Sequence, residues 1–512
     1  MSVRGEPGDA VQAGQAGEAD VFGVVAPPAV GTTEGRSRLP GMFTSPMWVL
    51  GLIVLVDEVD KNIVRGLIDP LKDTFGVGDF GIGVLLSLQL LFNGVITVPA
   101  GSLADRWNRT RAIGSTVVIW SGLTALGGAA LSFPMLVGLR SMLGFGQAVS
   151  EPSAASLIGD YYPPARRGTA FSVQMVMLFV GTGFGVALGG VLGQAFGWRW
   201  ALLLVALPGL FVAWLIYRLH EPRRGSADLM AALGVGEAES AGPDGHGAAG
   251  EEEKVSLFGD GIWRFLKDMA SGLIADMRTV MQIRTMRYAM VGIASLLFTV
   301  TAISSWMAQY YIRHLHISEG AGEGWFGLLA VAGGVPGIIV GGRLADRWAP
   351  RMQGGRLALP AIFITIGCAF FTLSYLIRPA DYSVPAFAVV FALQLAGMFS
   401  VSMAVPALRA GLTDALPAHL RGTGFGAFNL VAVVCGQAAA PFVVSAISNA
   451  FDENLRVAFL VIQPLAFLGA ALLYRARRYL DEDMQKIMLA VLTAVQEERD
   501  RTTVAADGAG AG

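Results

Sequence analysis

The chain has 512 residues, 54% of them hydrophobic and 15% charged, with a mean hydropathy of +0.56. Soluble proteins carry about 25% charged residues, so the composition argues against a soluble enzyme built around one or two cores. A net charge of −2 leaves no global basic surface for nucleic acid, and two cysteines, Cys368 and Cys435, each inside an apolar run, exclude a disulfide scaffold.

Residues 1–41 are rich in Gly, Ala, Glu and Pro and lack periodicity, which predicts a disordered tail. No apolar stretch follows a basic start there, so it does not read as a signal peptide. From Pro46 onward, apolar runs of bilayer length recur at 46–68, 80–101, 112–131, 134–158, 169–194 and 198–219, then at 287–312, 322–345, 357–377, 385–412, 422–448 and 454–475. The expected architecture is an all-α membrane protein of twelve transmembrane helices in two six-helix halves, 42–219 and 287–478. Between them, within 220–286, residues 223–256 read as a flexible linker. Residues 257–283 carry Leu257, Phe258, Ile262, Phe265, Leu266, Met269 and Leu273 at helical spacing, the pattern of an interfacial helix. The closing segment, 479–512, holds a second amphipathic stretch over about 479–500, which suits an interfacial helix and a solvated tail helix equally, and then a disordered tail.

Lys and Arg in short loops set orientation. The loops after even-numbered spans within each half carry Arg106, Arg109, Arg111, Arg166, Arg167, Arg343, Arg347, Arg351, Arg356 and Arg421. The opposite loops carry half as many: Lys72, Arg199, Arg313, Arg378 and Arg456. Both termini are therefore expected in the cytoplasm, with the protein in the cell's inner (plasma) membrane.

Two loops occur twice. Gly101-Ser-Leu-Ala-Asp105-Arg106-Trp107 returns as Gly342-Arg-Leu-Ala-Asp346-Arg347-Trp348, with the spacing that separates Pro46 from Arg287 at the starts of the first and seventh spans. Independently, Asp160-x-x-Pro163-x-x-x-Arg167-Gly168-Thr169-x-Phe171 matches Asp414-x-x-Pro417-x-x-x-Arg421-Gly422-Thr423-x-Phe425. The halves are thus parallel repeats about an axis along the membrane normal.

The GxLADRxxR loop and its second copy resemble the signature of the major facilitator superfamily of secondary transporters, over about residues 45–478. Within it the chain is similar to the Spinster-like group, through Asp60-Lys61 in span 1, Leu139-Arg140-Ser-Met-Leu-Gly144-Phe-Gly146 in span 4 and the Asp160-Tyr-Tyr-Pro loop. The resemblance implies that Asp105 pairs across a gap with a neighbouring helix end while Arg106 and Arg109 bond carbonyls or carboxylates, latching the outward-facing state. Gly101 belongs to the same motif, and Gly342, Asp346 and Arg347 are its second-half equivalents. Gly181-x-x-x-Gly185-Val-x-x-Gly189-Gly190 in span 5 resembles the glycine motif of exporting antiporters, with Val186 where that motif has proline. Close helix packing accounts for the same glycines.

An ionisable group in the apolar layer is costly and usually functional. Span 1 carries Asp57, Glu58, Asp60, Lys61 and Arg65, more than a lipid-facing helix bears, so this face is expected to look into a central cavity. At about 1.5 Å per residue, Asp60 lies about 12 Å from the outer end of its span and Arg140 about 9 Å from the end of span 4, close enough in level to pair. Burial and a guanidinium partner pull a carboxylate's pKa in opposite directions, so such a pair can bind or release a proton as water reaches it. The resemblance implies that Asp60 and Arg140 couple protonation to alternating access. Where the family has a glutamate seven residues after the arginine, this chain has Gln147. Its nearest acid, Glu151, is one turn deeper, and Asp57 and Glu58 stand where the family has uncharged residues. A static ion pair is the other reading of Asp60–Arg140.

Further cavity candidates are Gln89, Asn93, Gln174, Trp306, Gln309, Tyr310, Asn429 and Gln437. Each serves equally as contact between helices. Met175, Met177, Met398 and Met403 suit an adaptable apolar site or ordinary core. The sequence has no Walker A loop, HExxH, GxSxG or metal-spaced His/Cys cluster, so neither cofactor nor metal is expected. The expected function is proton-coupled alternating-access transport, by a monomer, of an amphiphile such as a lysophospholipid or sphingoid-like lipid. The alternatives are proton-antiport export of hydrophobic drugs or metabolites, and a membrane binding or sensing protein that does not transport.

Overall fold

Inside a bilayer a backbone amide finds no water, so an apolar run satisfies its N–H and C=O groups within its own helix. The computed structural model follows that rule. It describes residues 45–222 except 105–107 and 163, scattered positions from 267 to 280, and the stretches 281–377, 384–414 and 430–509. The first half holds α1 (Pro46–Ile63), α2 (Asp79–Ala104), α3 (Arg109–Gly128), α4 (Phe133–Tyr161), α5 (Pro164–Phe196) and α6 (Trp198–Tyr217). The second holds α7 (Arg284–Leu315), α8 (Glu319–Trp348), α9 (Gly355–Leu376), α10 (Val384–Asp414), α11 (a π-helical turn, Ala432–Ala438, then Ala439–Ala450) and α12 (Leu455–Ala509). A helix stands at every expected span, and no strand occurs among the described residues. Among the described residues, nine helices are long and apolar enough to cross a membrane. α1, with Asp57, Glu58, Asp60 and Lys61 in its last two turns, is too charged to be among them.

The repeat in sequence becomes a repeat in packing. α1 packs on α5, α2 on α4 and α3 on α6, and equivalently α7 packs on α11, α8 on α10 and α9 on α12. The halves meet through two equivalent pairs, α5 with α8 and α2 with α11. The end of the bundle that carries the repeated loops is termed the motif face, and the opposite end the far face. One apolar cluster joins the halves at the far face, with Ile63, Leu67, Leu71, Ile82 and Val186 from the first half and Trp306, Tyr311, Phe326, Val444 and Phe459 from the second.

Two helices change winding where neighbours press on them. After Ile63, α1 tightens into a 3₁₀ turn, Val64–Leu67, and continues as Ile68–Phe75. A Cβ added to Gly66 in that turn would collide with the Val186 carbonyl and lie 2.8 Å from the Gly190 nitrogen of α5. The extension ends at Gly76, whose φ of 64° suits glycine. In α11, Gly436 sits in the π-helical turn, where a Cβ would lie 2.8 Å from the Ala294 carbonyl of α7.

α12 runs unbroken past the end of its expected span to Ala509. Asp483 on it caps α7, accepting hydrogen bonds from the Thr285 N–H at 2.9 Å and its hydroxyl at 2.7 Å. The expected tail 1–41 and linker 223–256 lie outside the described residues, as does most of the expected interfacial helix 257–283.

Candidate functional site

The centre of the first half holds a buried ion pair. Asp60 is 3% exposed and Arg140 is fully buried. Arg140 Nη1 donates to Asp60 Oδ1 at 3.2 Å, and Nη2 donates to the backbone carbonyl of Asp60 at 2.7 Å. In an unbroken α-helix that carbonyl would take the N–H of Val64, but here the Val64 N–H is given to the Asn62 carbonyl. The local rewinding of α1 thus frees a carbonyl for Arg140. Thr124 of α3 donates its hydroxyl to the same Oδ1 at 2.8 Å, a partner that sequence reading missed. Asp60 Oδ2 and Arg140 Nε have no partner among the described residues. The carboxylate is therefore held from one side, with its second oxygen open.

The other charges of α1 form a connected set. Lys61 donates to Asp57 Oδ2 at 2.5 Å and to Glu58 Oε1 at 3.3 Å. Glu58 Oε2 also accepts from Asn62 and from Thr182 of α5, both at 3.2 Å. Gly181, Gly185 and Gly189 make room for this face. A Cβ would lie 2.7 Å from the Glu58 Cβ at Gly181 and 2.8 Å from the Val59 carbonyl at Gly185, and would overlap the Ile63 carbonyl at Gly189. The span-5 glycines thus bring α5 against α1 within one half.

Gln147 of α4, on the same face as Arg140 two turns on, is buried with neither side-chain atom partnered. Gln89 of α2 is also buried, with its Nε2 unpartnered, while Asn93 is half-buried and Gln174 is buried. Glu151 lies in α4, but its side chain is outside the described set. In the second half, Trp306 donates to the Pro441 carbonyl at 3.2 Å. Tyr310 is buried among Tyr311, Tyr375 and Phe459, and Gln437 is half-buried on the π-helical turn. Asn429 is outside the described residues.

At the motif face, Gly101 lies in the last turn of α2, while Asp105 and Arg106 are outside the described residues. Arg109 is 2% exposed and binds entirely within its own half. It reaches Asp160 and Ser156 of α4, and Glu221 and the Pro222 carbonyl after α6. Gly342, Asp346 and Arg347 lie toward the end of α8, the last two exposed.

At the far face a latch joins the halves that sequence reading missed. Asp79, fully buried at the start of α2, accepts from both Arg313 guanidinium nitrogens at 2.5 and 2.8 Å and from Lys72 at 2.9 Å. Glu453, after α11, lies 3.8 Å from Arg313 and 4.0 Å from Lys72. Gln309, 1% exposed, donates to Asp69 in the α1 extension at 2.8 Å and so belongs to this seam. The amide of Phe442 donates to Ser87 at 3.1 Å, and α5 meets α8 where a Cβ on Gly183 would lie 2.6 Å from the Gly327 carbonyl. The far face is closed.

Residues 50–436 match the Major Facilitator Superfamily. An MFS-type efflux pump of Mycolicibacterium smegmatis is 24% identical, over 86% of this chain and 94% of that protein. A sphingosine-1-phosphate transporter of Danio rerio is 24% identical over 56% of this chain and 53% of its own length. The fold matches that of a bacterial homologue of the human lysosomal transporter Spinster, solved inward-facing and unoccupied. Its TM-score is 0.65 at 20% identity, covering 87% of this chain and 99% of that one. Two parallel six-helix repeats, the duplicated loop and the family match lead to one conclusion: the chain belongs to the Major Facilitator Superfamily, as a multi-pass membrane transporter and not an enzyme, with similarity to Spinster proteins.

Proposed function

We propose that the protein is a proton-coupled secondary transporter that works by alternating access and moves an amphiphile such as a lysophospholipid or sphingoid-like lipid. The observation that carries this reading is the buried Asp60–Arg140 pair with one carboxylate oxygen left open. A charge held in that position is stabilised by Arg140 and Thr124. Neutralising it with a proton weakens the hold on Arg140, which is then available to an anionic head group. Glu58, Asp57 and Lys61 extend this polar track along α1, Gln147, Gln89, Asn93 and Gln174 border it from α4, α2 and α5, and Glu151 of α4 is assigned to it from its place in the sequence. Trp306, Tyr310 and Gln437 contribute from the second half, and Asn429 is assigned to the same role from its place in the sequence.

In this reading the motif face is cytoplasmic, following the arginine bias of its loops. The protein then lies in the inner membrane as a monomer, in the state open to the cytoplasm. Gly101, Asp105 and Arg106, with Gly342, Asp346 and Arg347, close that face when the far face opens, and Arg109 braces α3 against α4 beside them.

Uptake of labelled lysophospholipid into proteoliposomes, with and without an imposed pH gradient, tests the proposal. Gradient-dependent uptake is expected in the wild type and is lost in Asp60→Asn, which stays folded. Uptake that keeps its wild-type pH dependence in that variant would remove Asp60 from the mechanism. A second reading, export of hydrophobic drugs by proton antiport, is favoured by the mycobacterial efflux relative. Drug-stimulated proton flux without any lipid-stimulated flux would select it.

A further inference from the structure

The seam between α5 and α8 holds an acid that the Asp60–Arg140 pair does not involve. Glu323, one turn into α8, is 4% exposed, and its Oε2 has no partner among the described residues. It points at Gly190 of α5, across the boundary between the halves, so closely that a Cβ on Gly190 would overlap the carboxylate oxygen. Only glycine leaves space for the acid there, and the space exists only while the far face is closed. Gly190 and Glu323 lie at matching depths, each about 6–9 Å from the far end of its helix at 1.5 Å per residue.

The charges around this position are unfavourable to an anion. Within electrostatic reach of Glu323 are Asp69, from the first half, and Glu319, on its own helix. Asp73 of the α1 extension adds a further negative charge beside Glu319. The nearby cations are engaged elsewhere: Arg313 and Lys72 hold Asp79, and Arg65 lies within reach of Glu58. On α7, the His314 ring accepts from the Arg456 amide. α5 offers uncharged Gln194, beside Gly320. Asp69 is bonded by Gln309, whose own carbonyl oxygen is buried without a donor. Closing the far face therefore buries Glu323 without a counter-ion and brings acids of both halves together.

We propose that Glu323 is a proton-binding site on the seam between the halves, loaded from the far side while that face is open, so that the far face closes on the neutral acid. The step is a simple protonation: the carboxylate gains one proton from far-side water, and the carboxylic acid is then sealed against Gly190. The inference rests on the alternating-access reading but not on Asp60 or on any substrate. The sign follows from linkage. The closed state holds one more proton than the open state, so acid favours closure, by up to about tenfold in the closed-to-open ratio per pH unit.

The test is a distance measurement between spin labels in Leu131→Cys and Phe451→Cys, both exposed at the far face, one in each half. It uses the full chain in nanodiscs, with the exposed Cys435 replaced by Ala and Asp60→Asn included to silence that acid. Spectra are taken at about pH 5.5 and about pH 8.5, spanning the range in which such a coupled acid would titrate. The expected result is a shift from a short to a long distance as pH rises, abolished in Glu323→Gln, which stays short at both. Glu323→Ala, which removes the acid without filling its space, serves the same purpose if the Gln variant does not fold. A pH response unchanged in either variant overturns the proposal. So does a ratio of the two distances that ignores pH, or one that follows sodium at fixed pH. A single distance under every condition would overturn alternating access itself, a different failure.

Discussion

Asp60 shows how a single carboxylate is set between binding and release. Its Oδ1 takes two donors, Arg140 and Thr124, while Oδ2 takes none. Removing one partner of a buried pair costs about 3–5 kcal/mol, because the other charge is left uncompensated. Arg140→Ala is therefore expected to lower the unfolding free energy in detergent by that amount. Asp60→Asn in the same chain restores most of the stability, because no buried carboxylate is then left without its guanidinium. A loss that Asp60→Asn leaves unchanged would mean that Arg140 matters through packing alone. The pair itself was legible in the sequence, since a charge in each of two apolar runs at matching depth leaves few other partners. Thr124 was not, because one hydroxyl in a helix rich in small residues carries no mark of what it faces. Nor was the freed carbonyl of Asp60, which depends on the rewinding after Ile63.

At the scale of the element, α5 presents two glycine faces with different duties. Gly181, Gly185 and Gly189 meet α1 inside one half, whereas Gly183 and Gly190 meet α8 across the seam. Overpacking a close contact costs about 1–3 kcal/mol. Gly185→Leu should therefore destabilise the first half, read as a lower thermal midpoint. Gly183→Val should leave that midpoint near wild type and shift the far face toward open, read by cysteine accessibility at that face. Gly138 of α4 has nothing within 4 Å of an added Cβ. Its replacement by Ala should raise stability by up to about 1 kcal/mol, the helix-propensity difference. The helices themselves were readable from run length, because the bilayer sets it. The 3₁₀ turn of α1 and the π-helical turn of α11 were not, because Gly66 and Gly436 are pressed by helices far away in sequence.

For the whole molecule, the closed far face is held by charges that look unremarkable one at a time. Lys72, Asp79, Arg313 and Glu453 come from four separate helix ends, and each reads in sequence as a solvated terminus. Together they bury Asp79 completely between the halves. Loss of Arg313 leaves that carboxylate to Lys72 alone. At about 3 kcal/mol for a broken buried pair, Arg313→Ala should move the balance toward the far-open state by about a hundredfold. The spin-label distance between the far-face loops reads this directly. Exchanging the charges, Asp79→Arg with Arg313→Asp, should recover closure. Failure of the exchange to do so, with both single variants open, would show that the site needs more than a pair of opposite charges.

α12 carries a consequence for how the protein is handled. Its 26 residues after Asp483, which caps α7, continue as helix to Ala509. At about 1.5 Å per residue this is an arm of about 40 Å, longer than the hydrocarbon layer is thick. A fluorescent protein or antibody epitope fused near Ala509 would sit at the end of that arm, about 40 Å along the helix from the Asp483 cap. Purification, imaging or tethering through that arm would leave the moving halves unhindered.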